Sequence, residues 1–123
     1  VGPGPHAKVV TKAETWLVKL GIVIYSGDPE TVWNGFRLGL LALSANDSVS
    51  VFLLAKGVEA ELMDTEQYVV SEKLVEFVEA GGKVMSCGTC LVARSLDASK
   101  YCKSATMGSL YDLIKESDKV ISL

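Results

Sequence analysis

Two cysteines three positions apart, Cys87 and Cys90 in SCGTC (86–90), are the residues of this chain best suited to covalent chemistry. A thiolate is both a nucleophile and a metal ligand. The pair therefore admits three readings: a dithiol that closes to a disulfide, half of a metal site, or one working thiol with a companion. A structural zinc site needs about four ligands. Beyond this pair the chain offers only Cys102 and one histidine, His6, in the N-terminal tail. No metal is expected. A Cys–His dyad fails for the same reason, because no histidine lies in the folded region to act as base. A thioredoxin frame fails as well. It sets a cis-proline against the thiols from a later loop, and the prolines here are Pro3, Pro5 and Pro29. CxxC alone is a weak signal, so Cys90 stays open between a resolving thiol and a residue that merely lines its helix.

The elements around the pair give Cys87 its setting. KVMS (83–86) reads as a strand and GTCLVARSL as a short helix, so Cys87 falls at a strand end and at the start of a helix. Unpaired N–H groups and the helix dipole there should stabilise a thiolate and lower its pKa. The bland alternative is a buried cysteine packed as a small hydrophobe. Placement at a strand end beside Gly88 favours function.

Four further strands and three further helices frame this unit. LVKLGIVIYS (17–26) and DSVSVFLLA (47–55) are apolar runs rich in β-branched residues and read as buried strands. Between them GDPE opens a helix, with Asp28 as cap, Pro29 at the first position and Glu30 at the positive end. Val32, Phe36, Leu40 and Leu43 form its apolar face through about residue 44. KGVEAELM reads as a loop. DTEQ (64–67) matches a capping box, with Asp64 as cap and Gln67 reaching back, ahead of a stripe of Val70, Leu74, Phe77 and Val78 that ends at AGG (80–82). YCKSATM (101–107) contains a fourth strand, GSLYDLIKES a last helix with Leu110, Leu113 and Ile114 inward, and DKVISL a last strand. Strand alternating with helix predicts an α/β fold: a parallel sheet with helices on both faces.

Open parallel sheets gather ligands at the carboxyl ends of their strands. Three segments fall there: YSGDPE, SCGTC and ATMGS. They nominate Ser26 and Gly27, Gly88 and Thr89, and Met107 and Gly108 as binding residues beside the thiols. Arg94, two helical turns after Cys87, could steady an anionic sulfur, or could be simply solvated. Cys102 reads as a structural or exposed thiol. Asp28 and Glu30 form an acid pair on paper, but capping already accounts for Asp28. The GxxxG spacing in NGFRLG (34–39) suits close helix packing, and Trp16 and Trp33 suit a core or a subunit interface.

With 123 residues, 49% of them hydrophobic, the chain is long enough for one globular domain, expected over residues 8–123. The start, VGPGPHA, reads as a tag remnant or disordered tail over 1–7. The net charge is −3, from 12 basic and 15 acidic residues with no basic stripe, which argues against nucleic acid as a partner. No apolar stretch is long enough for a bilayer, so no membrane is expected. Three cysteines and no secretory signal point to a cytoplasmic location.

GGKVMSCGTCLVARSL followed by ATMGSLYDLIKESDKVISL closely resembles the DsrE/DsrF-like family of small sulfur-transfer proteins, in its CGTCL branch, which includes the C-terminal domain of YedF-type proteins. The similarity runs from about residue 18 to the end. It implies a three-layer α/β/α fold on a five-stranded, mainly parallel sheet, often assembled as a homo-oligomer, a trimer or hexamer. In sulfur-relay members, TusD-like proteins among them, a cysteine at this strand end carries sulfur as a persulfide, and Cys87 is the matching position. Cys90 matches the branch's second thiol. Ser95 stands where many relatives have glycine. The resemblance implies a sulfur carrier that takes sulfur from a donor protein and gives it to an acceptor protein, with no cofactor. A dithiol–disulfide oxidoreductase using Cys87 and Cys90, and a non-catalytic oligomeric protein that binds small molecules, are the competing expectations.

Overall fold

The computed structural model describes residues 17–123. The tail over 1–7, His6 and Trp16 lie outside the described residues. One five-stranded sheet, with every pairing parallel, runs β4-β3-β2-β1-β5. Its strands are β1 (Lys19–Ile24), β2 (Ser48–Leu53), β3 (Lys83–Cys87), β4 (Lys103–Ala105) and β5 (Lys119–Ser122). The two outer strands are the shortest, with three residues in β4 and four in β5, and each begins with a lysine.

Helix α1 (Pro29–Ser44) starts as its sequence dictates. The Asp28 carboxylate accepts from the Thr31 N–H at 3.0 Å and from the Thr31 hydroxyl at 2.8 Å. Those two bonds, the backbone one first, hold the Asp28 pKa below its ordinary value. Helix α2 (Val70–Glu79) packs against α1, and Phe36 meets Phe77 with ring centroids 5.6 Å apart. Gly39 makes the approach possible, since a Cβ there would sit 2.6 Å from the Phe77 ring. The GxxxG spacing serves close packing, as expected.

Pleat alternation sorts the two sheet faces. Ile24 lies against α1, where a Cβ on Gly35 would touch its side chain at 3.0 Å. Gly21 lies under the last helix, α4 (Met107–Glu116): a Cβ on it would meet Leu113 at 2.6 Å. Helices thus cover both faces, in three layers. The core is aliphatic and aromatic, with Ile22, Ile24, Phe36, Val51, Phe52, Leu74 and Phe77 buried at its centre.

Three expectations need correction. The segment read as a loop, KGVEAELM, is a 3-10 helix over Ala55–Leu62. It is held by Val58 and Ala60, both buried, and by Gly57 lying directly on the end of β1. The DTEQ capping box does not form, because α2 begins at Val70 rather than beside Asp64. Asp64 still caps that helix, from seven residues upstream: its carboxylate accepts from the Ser71 N–H at 2.8 Å and from the Ser71 hydroxyl. Ile114 points out rather than in, and with Met107 and Tyr111 it leaves an apolar stripe exposed on α4. Leu110 and Leu113 alone turn inward there. The last helix is capped by Thr106 and Ser109, which exchange a reciprocal pair of bonds.

Candidate functional site

Cys87 closes β3 and is the N-cap of α3 (Gly88–Ala93). Its sulfur accepts from the Cys90 N–H at 3.4 Å. Gly88 keeps the next position close to β4: a Cβ there would lie 2.9 Å from the Ser104 hydroxyl and 3.3 Å from the Ala105 carbonyl. The Cys90 sulfur has a different partner, the Ala55 N–H, at 3.3 Å. Ala55 holds a φ of 50°, a left-handed conformation that side chains other than glycine disfavour. The corner after β2 is therefore set in a strained shape that aims its N–H at Cys90. Both thiols are free.

The expected low pKa of Cys87 is not what this setting produces. Burial pushes the thiol up, and the neighbouring Cys90 thiol adds to the rise. The N–H groups of Cys90 and Thr89 pull the other way and do not prevail. The cause is physical: Cys87 is 4% exposed, and α3 has only six residues to supply aligned dipoles. Desolvation of the anion wins.

Arg94 neither reaches a sulfur nor points freely into solvent. Its Nε donates to Glu59 at 3.0 Å and its Nη1 to the Cys90 carbonyl at 3.2 Å, fastening α3 to the 3-10 segment. Ser95 then takes a φ of 54°, and the N–H groups of Ser95 and Leu96 bond back to Val92 and Leu91. This is a helix-ending turn in which glycine is the usual occupant, so the serine there sits in a glycine position.

The remaining nominated residues are spread along the carboxyl edge. Strand register puts Ala105 opposite Cys87, so Met107 and Gly108 begin α4 one strand away, both exposed. Ser26 and Gly27 follow β1, two strands from Cys87. Ser26 accepts from the Asp28 N–H at 3.0 Å, and Gly27 backs onto Lys56. Sheet order reverses between β1 and β5, where such folds commonly open a crevice. Here the Leu123 carbonyl accepts from the Tyr25 and Ser26 N–H groups at 2.8 and 3.3 Å, so the residue that follows β5 occupies that position.

The family model for DsrE/DsrF-like proteins matches residues 18–123. The chain belongs to this family. The family is associated with sulfur relay, and its sheet and helices are those seen here. The crystal structure of the ychN protein from E. coli is similar to this DsrE/DsrF-like chain with a TM-score of 0.79 and 22% sequence identity, covering 87% of this chain and 100% of that one. At that identity the likeness establishes the fold. Comparison with curated proteins gives no match.

Sequence reasoning missed Ala55, read as the end of a strand, and Glu59 and Glu61, on the segment taken for a loop. No local pattern in AKGVEAEL singles them out. Of the two expectations for Cys102, structural or exposed, the buried one holds, and its thiol is pushed up to about 12, by burial first and then by the Glu61 carboxylate. In the unfolded chain it ionises near 9.0. Its contribution to stability is thus intact below pH 9 and is lost as pH rises toward 12, by about 2 kcal/mol at pH ~10.5. Urea unfolding between about pH 8 and about pH 10.5 should show wild type losing stability more steeply than Cys102→Ala by about that amount. Parallel losses would refute the assignment. Among the described residues no group of three or more histidine, cysteine or acidic side chains could hold a metal, and no helix is long and apolar enough to cross a membrane.

Proposed function

We propose that this protein carries sulfane sulfur as a persulfide on Cys87 and passes it to an acceptor thiol. One observation carries the reading: the two sulfurs are held differently. The Cys87 sulfur is set at the strand–helix junction on the N–H of Cys90, while the Cys90 sulfur is held by a separate element through Ala55. Loading requires the Cys87 thiolate to attack the outer sulfur of a donor persulfide. The donor S–S bond breaks, its thiolate leaves, and Cys87–S–S⁻ forms. Discharge repeats the step, with an acceptor thiolate attacking the outer sulfur and Cys87 leaving as thiolate. No net oxidation occurs in either step, and no metal or organic cofactor takes part. A thiol of raised pKa is a stronger nucleophile once deprotonated, and the carried sulfur sits roughly 2 Å farther out than Cys87 Sγ.

A second reading, a dithiol–disulfide exchanger, is favoured by the contact between the Cys87 and Cys90 thiols that raises the pKa of Cys87. Intact-mass measurement after exposure to a sulfane-sulfur donor separates the two. The carrier should gain one sulfur, lose it to an excess of small thiol, and load faster as pH rises from about 7 to about 9. Loss of two hydrogens without added sulfur would favour the exchanger instead.

Donor and acceptor proteins follow from the carrier reading, in a cytoplasmic setting that keeps three cysteines free. Self-association belongs to it as well. Met107, Tyr111 and Ile114, 61%, 62% and 46% exposed, form an apolar stripe on α4 that a second copy would cover. Sedimentation should show Tyr111→Glu as a smaller species than wild type. Identical species would discard α4 as the contact.

A further inference from the structure

A small cavity of about 130 Å³ lies beneath α3, on the side of β3 that Ser86 faces. Val58, Leu62, Leu91 and Leu96 supply its apolar wall, and Ser86, Cys102, Glu61 and Asp97 its polar groups, with Leu62 and Asp97 at its exposed mouth. The Ser86 hydroxyl is the decisive feature. It is fully buried and makes no hydrogen bond of ordinary geometry, although it lies close enough to Cys102 to favour that thiol's anion slightly. A buried hydroxyl left unpaired costs on the order of 1–3 kcal/mol, and such groups call for a partner from outside the chain. Glu61 is fixed in place by the Ser99 hydroxyl, which donates to its Oε1 at 2.7 Å. Ser99 is itself held by the N–H groups of Tyr101 and Cys102, at 3.2 and 3.0 Å.

The lining restricts the chemistry of an occupant. Its oxygens can all accept hydrogen bonds, two of its side chains are carboxylates, and neither lysine nor arginine lines it. Anions are repelled there, and a neutral molecule gains less from the two carboxylates than a cation does. The volume suits a molecule of only a few non-hydrogen atoms. We infer that this cavity is a binding site for a small primary ammonium compound of two or three carbons. Its ammonium group lies between Glu61 and Asp97, its carbons rest on Leu91 and Leu96, and a terminal hydroxyl or thiol meets Ser86. The site is separate from the sulfur chemistry of Cys87 and does not depend on it.

NMR titration of the whole chain with ethanolamine tests the assignment. The amides of Leu91, Leu96 and Cys102 should shift with saturation. Ethylene glycol, the uncharged analogue, should bind on the order of tenfold more weakly. Glu61→Gln combined with Asp97→Asn should weaken ethanolamine by a similar factor, and the side-chain amide oxygen that replaces the Glu61 carboxylate can still accept from Ser99. Ser86→Ala should weaken ethanolamine about threefold, the worth of one neutral hydrogen bond, and leave ethylamine unchanged. No response at about 100 mM ethanolamine, an equal response to ethylene glycol, or an unaltered titration in the double variant would each overturn the site and leave a water-filled cavity.

Discussion

Cys87→Ser should take up no sulfur from a sulfane-sulfur donor, while Cys90→Ser should load and discharge at rates within about tenfold of wild type. The asymmetry follows from what each sulfur touches. A serine hydroxyl can still accept the Cys90 N–H and so preserve the cap of α3, but it cannot form a persulfide. The fold is therefore kept while the chemistry is lost. In Cys90→Ser the backbone N–H that contacts Cys87 is untouched, and the new hydroxyl can accept from Ala55. Removal of the neighbouring thiol also takes away one cause of the raised Cys87 pKa, so loading of this variant should begin at lower pH. Intact mass followed over time reads both effects. Equal loss of uptake in the two variants would show that the thiols act as a pair, and the carrier reading would fall to the exchanger.

The second large effect concerns a residue with no chemistry of its own. Gly57→Ala should destabilise the protein by about 3 kcal/mol, read as a lower urea midpoint. A Cβ at Gly57 would lie 2.1 Å from the Ile24 carbonyl oxygen and 2.9 Å from its carbon. That oxygen already accepts from the Leu54 N–H at 2.9 Å. Backbone cannot swing aside as a side chain can, so the 3-10 segment would have to lift away from β1. Because the segment carries Ala55, Glu59 and Glu61, its displacement would also loosen the contacts to Cys90 and Arg94. The variant should therefore show faster alkylation of Cys90 as well as lower stability. An unchanged midpoint would mean that the segment has room to move that the packing does not suggest.

Local signals carried the sequence reading where they were strong. Asp28 and Pro29 start α1 as written, the apolar runs of β1 and β2 pair in parallel, and the CGTC stretch lies at the end of β3. The misreadings of the 3-10 segment and of Arg94 share one cause, namely contacts between residues distant in the chain. Nothing local in AKGVEAEL announces a 3-10 helix, because β1 and α3 hold it in place. Asp64 looks like a cap for its immediate neighbours and instead reaches Ser71, since the chain between them turns back. Arg94 has a plausible sulfur partner seven residues away in sequence, yet its partner Glu59 is thirty-five residues away. The rise in Cys87's pKa is of the same kind. A strand end beside a helix start is visible in sequence, but the burial that outweighs it depends on packing from the rest of the chain.

The two ends of the sheet bear on how copies of this protein can meet. A strand edge left bare offers a row of backbone donors and acceptors to any neighbouring chain. Here β4 and β5 are too short to offer more than a few such groups, and Lys103 and Lys119 place a charge on each. Edge-to-edge growth into a continuous ribbon is disfavoured at both ends. Crowding the protein should therefore not draw copies together through its sheet backbone into fibres.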